Sequence, residues 1–218
     1  MVKRIIIKLR TYFCLLLKPS NVKIVGSYFK LHKIEFDIEA TSNVIIELGS
    51  GVKLSNLKIY IRGINHKIEL GNNVRISKGI FHMEDNDCVI KIGSKTTVES
   101  AQFACTEPYS AILVGEDCMF SNEIELRTGD SHSILEKNTH KRINFAMSIS
   151  IADRVWIGAH SKILKGAEIQ SDVVVGLGSI VPGGSTLKNN SIYTGIPAKC
   201  VREGIVWSRK RLLKTIEN

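Results

Sequence analysis

The residues best suited to chemistry lie in one polar stretch, "TGDSHSILEKNTHKRIN", at residues 128–144. It carries two of the six histidines, His132 and His140. A neutral imidazole, with an ordinary pKa near ~6.5, can remove the proton of an attacking hydroxyl, which typically speeds a reaction about 10²–10⁴-fold. His132 follows Gly129 by three residues, near the start of the stretch, so it is better placed than His140 to be held rigidly for such a step. His140 lies deeper and is predicted to be a surface residue, with acceptor binding as the alternative.

Two arginines, Arg127 and Arg142, flank this stretch. If the molecule that supplies the attacking hydroxyl is anionic, they are the first candidates to bind it. A guanidinium pairs with a carboxylate through two parallel hydrogen bonds. Asp130 lies two residues before His132, where it either orients the imidazole or forms a turn after Gly129.

The net charge of +9 is concentrated at the two ends of the 218-residue chain. Residues 1–33 hold eight Lys or Arg and no acid, and residues 199–218 hold six against two acids, so residues 34–198 are mildly acidic. A nucleic-acid-binding domain would carry its positive charge along one face of the fold, so we expect no nucleic-acid partner. Basic ends suit a phosphate ligand, an anionic polymer or an anionic membrane surface.

The N-terminal segment "MVKRIIIKLRTYFCLLLKPSN" combines basic and apolar residues. Lys8 and Arg10 interrupt the apolar run, no small-residue cleavage site follows, and the run is shorter than the roughly 20 residues of a membrane span. The pattern predicts an amphipathic helix that ends near Pro19 and packs on the protein or docks on a membrane surface.

The five cysteines are scattered, without metal-binding spacing, which is typical of a reduced cytoplasmic protein. We therefore expect no metal cofactor and a cytoplasmic location, at the inner face of the membrane if the N-terminal helix docks there. Cys105 and Cys118 could each serve as a covalent nucleophile, but neither has a base beside it in the sequence, so core packing is predicted for both.

A 22-residue repeat organises the chain before residue 128. Each unit has a short aliphatic strand followed by a glycine, and successive units begin at Ile46, Ile68, Ile90 and Ile112. A fixed period in the twenties is the signature of a solenoid. These isoleucines should stack as one inward column, and a second column should contain Leu54, Ile76, Val98 and Phe120. The glycines of the units are predicted to allow sharp turns at the corners, at Gly49, Gly71, Gly93 and Gly115.

The repeat resumes after the polar stretch with a shorter unit, because inward positions then recur every six residues, at Ile151, Ile157, Ile163 and Ile169. Three six-residue faces make an 18-residue triangular coil, and the 22-residue units are such coils with about four extra loop residues. The polar stretch is then a longer loop at one corner, where function is often located.

The second half of the chain resembles the hexapeptide-repeat acyltransferases. The resemblance rests on "VWIG" at 155–158, "VVGLGSIV" at 174–181 and "GIPAK" at 195–199, in that order and spacing. Within that superfamily, "GDSHSI…KRIN" is most similar to bacterial capsule and polysialic acid O-acetyltransferases. The resemblance implies an all-β, left-handed parallel β-helix, and a homotrimer whose active sites are shared between neighbouring chains.

It also implies acetyl transfer from acetyl-CoA, the acetyl donor, to a sugar hydroxyl of a saccharide acceptor, which could be anionic. His132 matches the catalytic base of the family, and Trp156, 24 residues later, matches its tryptophan. The oxyanion would take a hydrogen bond from a backbone N–H or from the Trp156 indole. The positions matching the coenzyme A site are Ala159 and Leu177 for the pantetheine, and Lys199 and Arg202 for the phosphates.

The chain departs from the family pattern at two places. Gln102 falls where sugar acetyltransferases often carry an acceptor-facing asparagine, and it offers the same amide on a longer arm. The usual turn after the "GSIV" strand is replaced by "PGGSTL" at 182–187, which weakens any inference about the adenine end of the coenzyme site.

Alternative functions stay open at this point. One is N-acetylation of an amino-sugar nucleotide, which would use the same base and donor. Another is a non-catalytic β-helix that only binds, and a third is a metal enzyme like the γ-carbonic anhydrases, although the histidines lack the spacing of that fold.

The predicted organisation is a basic N-terminal helix and lead-in at 1–33, a β-helix domain at 34–198 with a loop insertion at 128–147, and a basic C-terminal helix at 199–218.

Overall fold

The computed structural model describes residues 18–213. Over that range the chain winds into a three-sided β-solenoid of stacked coils. The first four coils each contain one short and one long strand: β1 Val22–Gly26 and β2 Lys30–Ile38; β3 Val44–Leu48 and β4 Lys53–Ile61; β5 His66–Leu70 and β6 Arg75–Met83; β7 Val89–Ile92 and β8 Thr97–Cys105. The long strands bend, so that each covers two sides of the triangle.

The later coils divide each long strand into two short ones. They comprise β9 Ala111–Val114, β10 Met119–Phe120 and β11 Ile124–Arg127; β12 Ile149–Ile151, β13 Trp156–Ile157 and β14 Lys162–Ile163; β15 Glu168–Ile169, β16 Val174–Val175 and β17 Ile180–Val181; and β18 Thr186–Leu187, β19 Ser191–Thr194 and β20 Lys199–Glu203.

Three parallel faces result from this winding. The first face stacks β1, β3, β5, β7, β9, β12, β15 and β18. The second face contains the first halves of the long strands, then β10, β13, β16 and β19. The third contains their second halves, then β11, β14 and β17. We number the corners in chain order: the first follows the first face, the second follows the second face, and the third leads to the next coil.

Both inward columns that the repeat predicts are confirmed. Ile46, Ile68, Ile90 and Ile112 pair in register from coil to coil, and Ile112 continues the column to Ile149. Leu54, Ile76, Val98 and Phe120 form the second column, which continues to Ile157. All of these side chains are buried. Each such aliphatic side chain contributes about 1.5–3 kcal/mol when it leaves water.

The four corner positions require glycine, but for a different physical reason from the predicted one. None of Gly49, Gly71, Gly93 and Gly115 has the positive φ that would require glycine for turning. They are needed because adjacent coils approach closely: a Cβ on Gly93 would lie 2.5 Å from the backbone of Gly115. The left-handed residue comes two positions later, for example at Asn73 (φ 60°) and Lys95 (φ 64°).

The predicted C-terminal helix is wrong, and the described residues of the predicted N-terminal helix are not helical either, because no helix occurs between residues 18 and 213. At the C-terminal end, residues 199–203 form β20, which pairs antiparallel with the otherwise open edge of β19. Residues 204–213 continue without regular structure and make long-range contacts instead. At the N-terminal end, Val22–Gly26 pairs in register with Val44–Leu48, so the solenoid has already begun there. Most of the predicted N-terminal helix, residues 1–17, lies outside the described residues.

The extra residues of the early coils are concentrated at the third corner. In the fourth coil they form the turn 106–110 between β8 and β9. One coil later the same corner holds residues 128–148 between β11 and β12, so the polar stretch is a corner loop as predicted. Within the described part of the chain, no helix could cross a membrane.

Candidate functional site

The root of the loop is fixed to the preceding coil through two threonines. The Thr106 N–H donates to Thr128 Oγ1 at 2.9 Å, and that hydroxyl donates to the Thr106 carbonyl at 3.0 Å. The far end of the loop returns to the same point, because the Met147 N–H donates to the Thr128 carbonyl at 2.9 Å. Thr128 is fully buried, so the loop begins from a rigid position.

Asn144 holds the loop at His132 and at a residue on each side of it. Its Nδ2 donates to the His132 carbonyl at 2.8 Å and to Asp130 Oδ2 at 2.9 Å. Its Oδ1 accepts from the Ile134 N–H at 2.7 Å. Asn144 is buried, and no sequence motif marks it, because its contacts around His132 are with residues 10 to 14 positions away. The His132 backbone is therefore clamped directly at its own carbonyl, and the clamp also includes the Ile134 N–H and the Asp130 carboxylate.

Asp130 stabilises the loop and does not contact the imidazole. Its carboxylate pairs with Lys165 on the following coil, and it also accepts from Asn144. The Lys165 ammonium, with help from the Asn144 amide, lowers the pKa of Asp130 against the opposing effect of burial. Within residues 18–213 the imidazole of His132 is exposed and has no hydrogen-bond partner, so it is open to a substrate.

His140 and the two arginines occupy different environments. His140 lies at the exposed tip of the loop, with φ 53° and its N–H donating to the Glu136 carbonyl. Arg142 makes a bidentate pair with Glu107 of the preceding coil and so ties the loop to the solenoid. Arg127 donates to Glu125 Oε1 at 3.0 Å and to Ser131 Oγ at 3.2 Å, and its side chain is more exposed than that of Arg142.

Trp156 lies on the second face, where the C-terminal tail (residues 204–213) covers part of it. The Trp156 and Trp207 rings are 6.1 Å apart and tilted by 50°. Trp207 is 7% exposed, and its indole N–H donates to the Arg154 carbonyl at 2.6 Å. Arg209 fastens the tail further along, donating to Asp117 Oδ1 and to Thr97 Oγ1 at 2.9 Å each. No sequence motif marks Trp207, although tryptophan occurs only twice in the chain.

The predicted coenzyme residues come together along the second corner. The Gly178 N–H donates to the Ala159 carbonyl at 2.8 Å, which stacks the turns that carry Ala159 and Leu177. Leu177 projects into solvent, with 74% of its surface exposed. The next coil turns at the same corner and leads into β20, where Lys199 and Arg202 are exposed and, among the described residues, form no ion pair. A row of turns ending in two free cations suits a long ligand with a phosphate end.

Gln102 lies in a groove on the third face. It is in register with Ile80 on one side and Glu125 on the other. The groove has a volume of about 720 Å³, and small residues such as Gly79 and Ala101 form its floor. Gln102 is thus one coil before Glu125 and does not lie beside His132.

One chain does not bring His132 and Trp156 together. His132 projects from the third corner, between the third and first faces, whereas Trp156 points outward from the second face, on the opposite side of the triangle. A reaction that uses both residues needs a second copy of the chain.

Cys105 and Cys118 are unsuited to covalent catalysis. Cys105 and Cys118 are fully buried in the core, as predicted. Burial raises the pKa of the Cys118 thiol to about 11, so that it stays protonated near neutral pH. Between residues 18 and 213 no three His, Cys, Asp or Glu side chains are grouped so as to hold a metal ion.

A parallel solenoid of 18- and 22-residue coils, with a histidine-bearing loop at one corner, is the architecture expected from the resemblance to hexapeptide-repeat acyltransferases. Over 175 residues the chain is 31% identical to the polysialic acid O-acetyltransferase of Neisseria meningitidis, covering 80% of each chain. The crystal structure of the polysialic-acid-specific acetyltransferase NeuO matches with a TM-score of 0.74 at 27% identity, covering 89% of this chain and 91% of that one. The polysialic acid O-acetyltransferase OatWY matches with a TM-score of 0.74 at 28% identity, covering 89% and 94%.

The chain belongs to the family of polysialic acid O-acetyltransferases. No protein-family model matches it.

Proposed function

We propose that this protein transfers an acetyl group from acetyl-CoA to a hydroxyl of a bacterial surface polysaccharide, with a sialic-acid-containing capsule as the first candidate. The observation that carries the proposal is the clamped backbone of His132, which presents an unengaged imidazole from the corner loop of an acetyltransferase-family solenoid. A base must be held within hydrogen-bonding distance of the proton that it removes, and this loop supplies that rigidity.

In the proposed reaction, His132 takes the proton of the sugar hydroxyl as the hydroxyl oxygen attacks the thioester carbonyl. The new C–O bond forms, the carbonyl oxygen becomes an oxyanion, and the Trp156 indole N–H donates to it. The C–S bond then breaks, and the imidazolium returns its proton to the departing thiolate of coenzyme A. The indole stays free for this role because Trp156 keeps 37% of its surface exposed beside the tail.

The donor and the acceptor occupy different surfaces. Ala159 and Leu177 hold the pantetheine through the second corner, and Lys199 with Arg202 meets the phosphates. On the acceptor side, Arg127 is a better candidate than Arg142 for a carboxylate, because the Arg142 guanidinium is already satisfied by Glu107. Gln102 and His140 are proposed as further acceptor contacts.

The active site is shared between chains of a homotrimer. Support comes from the separation of His132 and Trp156 on opposite sides of one chain, and from the apolar surface of the loop. This loop exposes five large apolar side chains to solvent, those of Ile134, Leu135, Ile143, Phe145 and Met147. Such a patch is typical of a surface that packs against a partner.

Mixed trimers test the shared site. Chains carrying His132→Ala and chains carrying Trp156→Ala should each be inactive alone. If each site takes His132 from one chain and Trp156 from its neighbour, random 1:1 assembly leaves roughly one quarter of the sites intact. Activity of the mixture near that fraction is expected, and no recovery would place both residues in one chain.

The function itself is tested by thiol release from acetyl-CoA with a panel of acceptors. Polysialic acid should be acetylated on oxygen, with little turnover of a neutral polysaccharide or of an amino-sugar nucleotide. Transfer to the amino-sugar nucleotide would establish the N-acetyltransferase alternative, and no transfer to any acceptor would favour a binding protein.

We also propose a cytoplasmic location, which the free thiols of Cys88, Cys105, Cys118 and Cys200 support.

A further inference from the structure

One outward row of the second face is basic over three consecutive coils. In register from coil to coil, the row contains Lys30, Lys53, Arg75, Thr97, Met119, Trp156 and Val174. The three cations at its start are all exposed. Neighbouring strands lie about 4.8 Å apart, so the stacked charges repel one another.

The other two faces arrange their charges in the opposite way. On the first face, the Lys67 ammonium pairs with both Glu47 and Glu69, at N–O distances of 3.2 and 2.6 Å. On the third face, Lys162 pairs with Glu125 at 2.8 Å, and Lys58 pairs with two acids of β2. Among residues 18–213, by contrast, Lys30, Lys53 and Arg75 form no ion pair. The basic row is therefore a specific feature of the second face.

Nearby acids do not neutralise the row. Asp117, at the first corner, is engaged by Arg154 and Arg209. Glu99 is exposed two residues beyond Thr97, where the strand turns toward the third face. The Arg209 guanidinium, which is paired with Asp117, also contacts Thr97 in the position that follows Arg75.

The same row leads to the proposed reaction centre. Arg75 is separated from Trp156 by three strand spacings, through Thr97 and Met119, which is about 14 Å. Lys30 lies two further spacings away, about 10 Å beyond Arg75. A ligand that contacts both the cations and Trp156 must therefore be extended and must carry several negative charges.

We propose that Lys30, Lys53 and Arg75 form a binding track for an extended polyanionic saccharide. The track binds sugars of the acceptor chain that lie some distance along the chain from the sugar that reacts at Trp156. This inference rests on the proposed function for the identity of the acceptor. Carboxylates spaced along the polymer offset the repulsion between the stacked cations. Because the track begins about 14 Å from Trp156, only an acceptor of several sugars reaches both.

The test compares two triple variants with the same change in charge. The track variant is Lys30→Gln, Lys53→Gln and Arg75→Gln. The control is Lys23→Gln, Lys137→Gln and Lys188→Gln, three exposed lysines away from the row. For the track variant, the KM for long polysialic acid should rise at least about threefold, given the strength of exposed ion pairs. The kcat, the KM for acetyl-CoA and the KM for a short sialic acid oligomer should stay unchanged, and added salt should remove the difference.

An equal rise in the control would show a general charge effect and would overturn the track. A change in the acetyl-CoA KM alone would assign the row to coenzyme phosphates, and loss of binding to vesicles of anionic lipid alone would assign it to a membrane. Binding of fluorescently labelled polysialic acid is measured in parallel. If the wild-type protein transfers no acetyl group, the proposed function fails, while weaker binding of the polymer by the track variant alone would still support the track.

Discussion

Replacing Asn144 with alanine should slow catalysis without unfolding the solenoid. The side chain accepts from the Ile134 N–H and from Arg142 Nε, and it donates to Asp130 and to the His132 carbonyl. Each such hydrogen bond contributes about 0.5–1.5 kcal/mol net, so the loss of all four costs the loop about 2–6 kcal/mol of local stability. That loss shifts the equilibrium between the ordered and open loop by a factor of roughly 30 to 25,000.

The catalytic rate should therefore fall at least about tenfold, with the remaining loop contacts retaining part of the order. The KM for acetyl-CoA should stay close to the wild-type value, because Ala159 and Leu177 lie on the second corner and the loop leaves from the third. The melting temperature should change little, since the inward columns are untouched. Hydrogen exchange over residues 128–148 should become faster.

Asn138→Ala is the matched control, because Asn138 is an exposed asparagine near the tip of the same loop. Thiol release from saturating acetyl-CoA, with polysialic acid as acceptor, gives the rate for both variants. A wild-type rate in Asn144→Ala would refute the argument that this clamp positions His132. Equal losses in both variants would show that the loop responds to any change.

Three further outcomes follow from the geometry. Gly93→Ala should lower the melting temperature, because the new Cβ would lie 2.5 Å from the backbone of the next coil and the resulting strain costs about 1–3 kcal/mol. An unchanged melting temperature would contradict that close contact. Trp207→Ala leaves Trp156 as the one tryptophan, and its fluorescence emission should shift to the red as the tail detaches, whereas unshifted emission would mean that the tail does not cover it. Lys165 lowers the pKa of Asp130, so the contribution of Asp130 to loop stability is present above the ordinary value of 3.8 and is lost as the pH falls through the lower folded value. Hydrogen exchange of the loop should become faster only in that acid range. Faster exchange already near pH ~6 would point to another group.

The solenoid was predictable because its signals are local and repeated. A column such as Ile46, Ile68, Ile90 and Ile112 needs only a fixed period, and the register confirms it. The glycines were also located correctly, but their physical reason depends on the spacing between coils, which a single repeat does not reveal.

The structure of the chain's C-terminal end and the contacts that support the loop could not be predicted in the same way. The basic C-terminal segment has a composition compatible with a helix, yet contacts such as Arg209 with Thr97, 112 residues apart, hold it extended. Likewise, the pairing of Lys165 with Asp130 joins residues 35 positions apart. The position of His132 near the root of the loop followed from the sequence, whereas the clamp by Asn144 required the structure.

The most direct test of the central claim is the rate of the His132→Ala variant beside that of His140→Ala. With acetyl-CoA and polysialic acid, His132→Ala should lower kcat about 10²-fold or more, and acetyl-CoA should still bind. His140→Ala should change kcat little, because His140 lies at the exposed tip of the loop. A His132→Ala enzyme that acetylates polysialic acid at a near-wild-type rate would contradict general-base catalysis by this loop.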